Sequence, residues 1–322
     1  MTRLILAALA MMFATVPALA AQTGTYPERP IRLVVPQAAG SSSDTLARII
    51  ATELTRHIGQ QVVVDNRPGG ALIIGMELVA RAVPDGYTIG YAPIGALAIS
   101  PNVRKPPFDV LKDFQPITQT ATNQMLLASS AAGPLKSIRD VIDYAKQHPG
   151  KLSNASSGNG TPGHVGFELF KTMTGTQIVH VPYKGGAAAI ADLIAGQVQL
   201  MLEGLNSITP HAKAGRVRGL GVSGPKRSPA LPEVPTIAEA GVPGYEASTW
   251  NGIVAPRGTP RAVVQKLNAE LNNALNSASL RERFAAIGAD PAPGTPEQFG
   301  ELIRREYVKW GEVVRRSGAR ID

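Results

Sequence analysis

Residues 31–66 read IRLVVPQAAGSSSDTLARIIATELTRHIGQQVVVDN. The run Ile31 to Pro36 is short, rich in branched apolar residues and closed by proline, as a buried strand would be. Residues 42–59 carry apolar side chains at helical spacing and stop on Gly59, a helix-end signal. Residues 61–66 repeat the branched apolar pattern as a second strand. Strand, helix and strand at this spacing make one unit of an α/β fold, whose sheet is expected to be largely parallel. The connection from strand to helix holds three consecutive serines, Ser41 to Ser43, where a cap needs one oxygen.

The rhythm continues outward. A second helix is expected over 71–83, and a third strand over 86–92 follows the turn Pro84-Asp85-Gly86. The alternation restarts with a helix over 137–150, a strand from Lys151, a helix from Gly163, a strand over 177–182, a helix over 186–196 and a strand over 197–202. A strand at 217–223 and a helical turn at Thr236 follow. A strand at 252–256 then leads into a helix with Thr259 as N-cap and Pro260 at its first position. A last helix runs from Thr295 to about Ser317. Two α/β runs and a helical tail predict two lobes with boundaries near 120 and 248, and no Gly/Ser linker separates them. A tail that returned to the first lobe would leave two crossings between lobes, a hinge arrangement.

Composition narrows the class. Arg3, an apolar run and Ala18-Leu19-Ala20 read as a secretory signal peptide over residues 1–20. No later stretch reaches the ~20 apolar residues that span a bilayer, so a soluble, exported protein is expected. The chain has no cysteine, which excludes disulfides and thiolate metal sites. With 32 Lys/Arg against 24 Asp/Glu the formal charge is +8. The basic residues are scattered, so no nucleic-acid partner is expected, while the positive field favours small anions.

Several strand ends run into glycine- or hydroxyl-rich loops that open helices. In open α/β sheets ligands bind beyond the carboxyl ends of strands, where helix N-termini offer unpaired N–H groups. The first such loop offers Gln37, Ala39, Ser41, Ser42, Ser43 and Asp44. The second offers Asn66 and Gly70, and the third Ala92. The fourth, SNASSGNGTPGH over 153–164, offers Ser156, Ser157, Asn159, Thr161 and His164. The fifth offers Lys184, Gly186 and Ala187, and Glu203 follows the strand QVQLML. Each loop alone is also explained as a cap or turn; together they favour a binding site for a small anion. Lys184 is either a solvated cation or a charge partner, and Glu203 either caps a turn or accepts a ligand hydrogen. Trp250 is either hinge packing or a cleft wall, and His180 reads as a satisfied core residue.

GNGTPG over 158–163 matches the dinucleotide fingerprint G-x-G-x-x-G, but the acid expected about 20 residues later is missing. No nucleophile elbow, phosphate loop or zinc-protease helix occurs. His164 and Glu168 share a helix face, but two ligands make no metal site. Neither cofactor nor metal nor enzymatic activity is expected.

Five stretches, in order, resemble one family over essentially the whole exported chain. They are residues 26–70 (YPERPIRLVVPQAAGSSSDTLARIIATELTRHIGQQVVVDNRPGG), 83–93 (VPDGYTIGYAP), 150–171 (GKLSNASSGNGTPGHVGFELFK), 178–202 (IVHVPYKGGAAAIADLIAGQVQLML) and 245–260 (YEASTWNGIVAPRGTP). The family is that of the Bug-type extracytoplasmic solute receptors, binding components of tripartite tricarboxylate transporters. The resemblance implies an α/β, two-lobed type II periplasmic-binding-protein fold with mixed sheets and a hinge of two crossings. Lobe 1 would comprise 21–122 and 249–322, and lobe 2 would comprise 123–248. It also implies a periplasmic monomer that holds a small carboxylate through main-chain N–H groups and waters, then docks on membrane transporter subunits. A ligand-presenting accessory of a membrane sensor ectodomain, or a secreted enzyme on the same scaffold, is the alternative. The chain departs from the family at Ser41 to Ser43, where glycines and then a Thr-Asp pair are usual, and at Glu203, where Asp is common. The identity of the ligand therefore does not carry over.

Overall fold

The computed structural model describes residues 26–183 and 185–317. The signal-peptide reading of residues 1–20 and the Lys184 reading both fall outside the described residues.

The opening stretch folds as its pattern dictates. Strand β1 (Ile31–Val35) buries Ile31, Leu33 and Val35 on one face and Val34 on the other, where only Arg32 at the strand's start is partly exposed. Helix α1 (Ser42–Ile58) starts where the Ser41 hydroxyl accepts from the Asp44 N–H and ends at Gly59, whose φ of 70° suits glycine. Strand β2 (Val62–Asn66) pairs parallel to β1. The next expected helix begins late. Residues Gly70–Leu72 form a 3-10 turn with Ala71 and Leu72 at φ 53° and 75°, and α2 covers only Ile73–Ala80. Strand β3 (Thr88–Pro93) runs into a π-helical turn, Gly95–Ile99, and the short α3 (Ser100–Val103).

Strands β4 (Phe114–Asn123) and β5 (Met125–Ser130) lie in a region where no periodic signal stood out, yet they carry the chain between sheets with only Gln124 between them. Then follow α4 (Ile138–Gln147), β6 (Ser153–Ser156), α5 (Pro162–Thr174), β7 (Val179–Pro182), α6 (Gly186–Ile194), β8 (Leu200–Gly204), α7 (Leu205–Lys213) and β9 (Val217–Val222). Strand β10 (Thr249–Pro256) leads to α8 (Arg261–Asn276), α9 (Ala278–Ala286), β11 (Asp290–Pro291) and α10 (Pro296–Ser317). Helix α8 is capped by Pro260 rather than Thr259, because the Thr259 hydroxyl donates back to the Pro256 carbonyl instead of reaching forward. Glu203 is the penultimate residue of β8 and not a loop residue beyond it.

Two sheets result, ordered β11-β4-β10-β3-β1-β2 and β7-β6-β8-β5-β9. Each is mixed and not largely parallel. Strand β10 runs antiparallel to β3 and β4 in the first, and β5 antiparallel to β8 and β9 in the second. The two connecting segments lie side by side: Thr249 pairs with Asn123, and Ser223 N–H donates to the Met125 carbonyl. The terminal helix α10 returns to the first sheet, packing on β4 and the π-helical turn, and also touches α5 of the second. Its Trp310 is fully buried and donates its indole N–H to Glu306 at 3.0 Å. The fold is thus two-lobed, with one core region (Val34, Leu127, Phe167, Trp310) bridging the lobes where they meet.

Candidate functional site

Between the lobes lies a cavity of about 190 Å³. Its first wall is the β1–α1 connection, with Gln37, Ser42 and Ser43. As first-turn residues of α1, Ser42 and Ser43 have N–H groups with no acceptor in the helix, at its positive end. The opposite wall is the β6–α5 connection, with Ser157, Thr161, Pro162 and Gly163. Thr161 caps α5 and Pro162 occupies its first position, so the mouth of this helix is built as its sequence specifies. The floor is the end of β8, Glu203 and Gly204. The sides are the crossing segments, with Asn123, Met125, Thr249, Trp250 and Asn251, closed by Leu72 and Ile94.

Six of the residues offered by the five loops and β8 as ligand-binding candidates line this cavity: Gln37, Ser42, Ser43, Ser157, Thr161 and Glu203. Others stand behind it as scaffold. Ser41 caps α1, and the buried Asp44 accepts from Gly40 N–H, Arg48 and Asn66, while Asn66 also donates to the Gln37 carbonyl. This network sets the shape of the first wall. Burial opposes the Asp44 charge, but the Arg48 hydrogen bond and the Gly40 and Asn66 donors hold its carboxyl below the usual range. Ser156 shares a 2.7 Å hydrogen bond with His180, and the His164 ring accepts from Gly160 N–H at 3.0 Å. The two imidazoles stack with centroids 3.8 Å apart, beneath the second wall. Burial first, then neighbouring His180 and Lys171, holds His164 down to about 3. Burial and Lys171 hold His180 down to about 4, so both rings are neutral near pH 7. Ala39 and Gly70 are exposed and Ala92 is buried within β3; with Asn159, Gly186 and Ala187 they are not among the cavity-lining residues.

The hydroxyls are not all available. Ser157 donates to Glu203, and Thr161 donates to the Gly158 carbonyl at 2.8 Å. Burial pushes the Glu203 carboxyl up, against the hydrogen bonds from Ser157 and from Gly204 N–H at 3.0 Å. Trp250 satisfies both sequence readings, since it packs edge-on to Phe299 and lines the cavity; its buried indole N–H has no protein partner.

Asn206 escaped the sequence reading although Glu203-Gly204-Leu205-Asn206 repeats the strand-end, polar, helix-start pattern. It donates to the Ser42 hydroxyl at 2.6 Å, joining the lobes at the cavity's edge. Asn123, Thr249 and Asn251 carried no local signal, because only the pairing of the crossing strands brings them together. Among the described residues no group of three or more His, Cys, Asp or Glu side chains is placed to hold a metal ion, and no helix is long and apolar enough to cross a membrane.

The model of the tripartite tricarboxylate transporter family receptor matches residues 46–319. The protein BugT of Bordetella pertussis is 36% identical over 100% of this chain and 99% of its own length. The solved structure of R. palustris Rpa4515 with adipate superposes with a TM-score of 0.83 at 40% identity, covering 92% of this chain and 100% of that one. MatC from Rhodopseudomonas palustris, with bound malate, superposes with a TM-score of 0.79 at 31% identity, covering 90% of this chain and 100% of that one.

Proposed function

The chain belongs to the receptor family of the tripartite tricarboxylate transporters, and from that premise we propose that it captures a small carboxylate between its lobes in the periplasm, unchanged, for delivery to membrane transporter subunits. One observation carries this reading: the N-termini of α1 and α5, borne by different sheets, face one cavity. The two free amides of α1, at Ser42 and Ser43, supply charge-assisted hydrogen bonds worth about 1.5–3 kcal/mol each, so one or two further donors around the cavity are needed to cover the ~8 kcal/mol of micromolar affinity and some ordering cost. The adipate and malate bound by the two related proteins support a carboxylate of similar size. The lobes are taken as 21–122 with 249–322, and 123–248, so that the changeovers fall at the paired crossing segments.

Isothermal titration with mono-, di- and tricarboxylates tests the reading. At least one acid should bind with about micromolar affinity and compete with the others for one site per chain. A protein that binds no carboxylate across the set is not such a receptor.

A further inference from the structure

Among the described residues lining the cavity, the one ionisable side chain is an acid, Glu203. That is the wrong charge for a site whose only task is to hold carboxylates. Its surroundings say what it does there. Glu203 Oε1 accepts from Gly204 N–H, and Oε2 accepts from the Ser157 hydroxyl. At Gly186, the first residue of α6, a Cβ would lie 3.3 Å from Glu203 Oε2 and 3.2 Å from Ser157 Oγ. The carboxylate therefore abuts the N-terminal turn of α6, whose N-cap Gly185 provides no side-chain oxygen. The positive end of that helix is already faced by a carboxyl group belonging to the chain, whose ionised form the helix end and the Ser157 and Gly204 donors favour against its burial. A ligand carboxylate placed there would sit beside a like charge, which is unfavourable.

What remains at this end of the cavity is acceptor capacity. A carboxylate has about four lone-pair sites, and the hydrogen bonds above use two. The Ser157 proton is committed to Glu203, so its oxygen also turns lone pairs outward. The opposite wall, with the free amides of Ser42 and Ser43, is the donor side. We infer that Glu203 is the specificity-determining residue of this cavity: the ligand lays a carboxylate on the α1 wall and presents a hydrogen-bond donor, a hydroxyl or an ammonium, to Glu203. The preferred class is then hydroxy- or amino-substituted carboxylates, over acids that bring only a second carboxylate to that place. This deepens the capture reading above and rests on it.

The test compares matched acids that differ in one substituent: malate and aspartate against succinate, 2-hydroxyglutarate and glutamate against glutarate, and lactate and alanine against propionate. Wild type should prefer a substituted member of at least one set by about tenfold or more, the hydroxyl and amino arms telling which donor is used. Glu203→Ala and Glu203→Gln should bring that ratio toward one while binding of the unsubstituted acid holds or improves. Thermal unfolding of both variants reports that the fold is kept. A preference that survives both Glu203 variants, or a wild type that favours the unsubstituted acids, overturns the inference and leaves carboxylate capture standing. If no acid of any kind binds, the capture reading fails first.

Discussion

Gly163 shows how closely the second wall is built onto its floor. A Cβ at this position would stand 2.2 Å from the Leu202 carbonyl oxygen, backbone that cannot rotate aside. Gly163→Ala must therefore lift the first turn of α5 off β8, at about 1–3 kcal/mol of overpacking. The expected outcome is a lower Tm and weaker ligand binding, since Ser157 and Thr161 move with that turn; an unchanged Tm would mean that the contact is slack. The glycine was visible in the sequence as the last position of a G-x-G-x-x-G match. Its reason was not: it serves helix-to-strand packing, and no dinucleotide need be invoked. Ser157 makes the same point. Its place in a hydroxyl-rich loop made it a binding candidate and the fold sets it on the cavity wall, whereas the direction of its proton depends on Glu203, 46 residues away.

At the scale of elements, the β6–α5 connection is carried on the stacked rings of His164 and His180, next to the Lys171–Glu168 ion pair. Both rings are held below the usual value of 6.5, at about 3 and about 4, so the folded protein keeps them neutral while an unfolded chain takes up protons. The stability they contribute is complete above pH 6.5 and is lost as the pH falls from there through about 4 for His180 and about 3 for His164. Thermal unfolding should show Tm declining across that window. The double variant His164→Gln/His180→Gln should decline less steeply there; equal slopes would assign the acid sensitivity to other groups. From the sequence His180 was read as a satisfied core residue and His164 as part of the loop. Their stacking joins a helix to a neighbouring strand, which no spacing along the chain reveals. The expected elements themselves were mostly legible, because Ser41, Ser137 and Thr161 caps and the glycines at 59 and 175 are local chemistry. Strands β4 and β5 were not. Their residues mix apolar and polar types without period, as suits strands paired within sheets and packed against several elements.

For the whole molecule, the lobes meet along the crossing strands, through the shared core around Trp310 and α5, and at the cavity's edge through Asn206 and Ser42. The first two joints are buried and continuous; the third is one exposed hydrogen bond, and it is the contact that must break for the cavity to open on that side. Asn206→Ala removes a bond worth about 0.5–1 kcal/mol net. Ligand dissociation measured by stopped flow should accelerate about two- to fivefold, with association little changed. A slower dissociation, or an effect confined to association, would show that this contact does not hold the lobes together.

Strand and helix alternation, most caps and the polarity of the loops were determined by the sequence alone, because each rests on the chemistry of residues close together in the chain. The family resemblance extended that reading to two lobes and a carboxylate. The mixed sheets, the adjacent crossings that bring Asn123 beside Thr249, and the placing of Glu203's charge against α6 were decided only by the tertiary structure. They arise from pairings between distant segments, and it is there, where one proton or one carbonyl is claimed by a remote partner, that the character of the cavity was set.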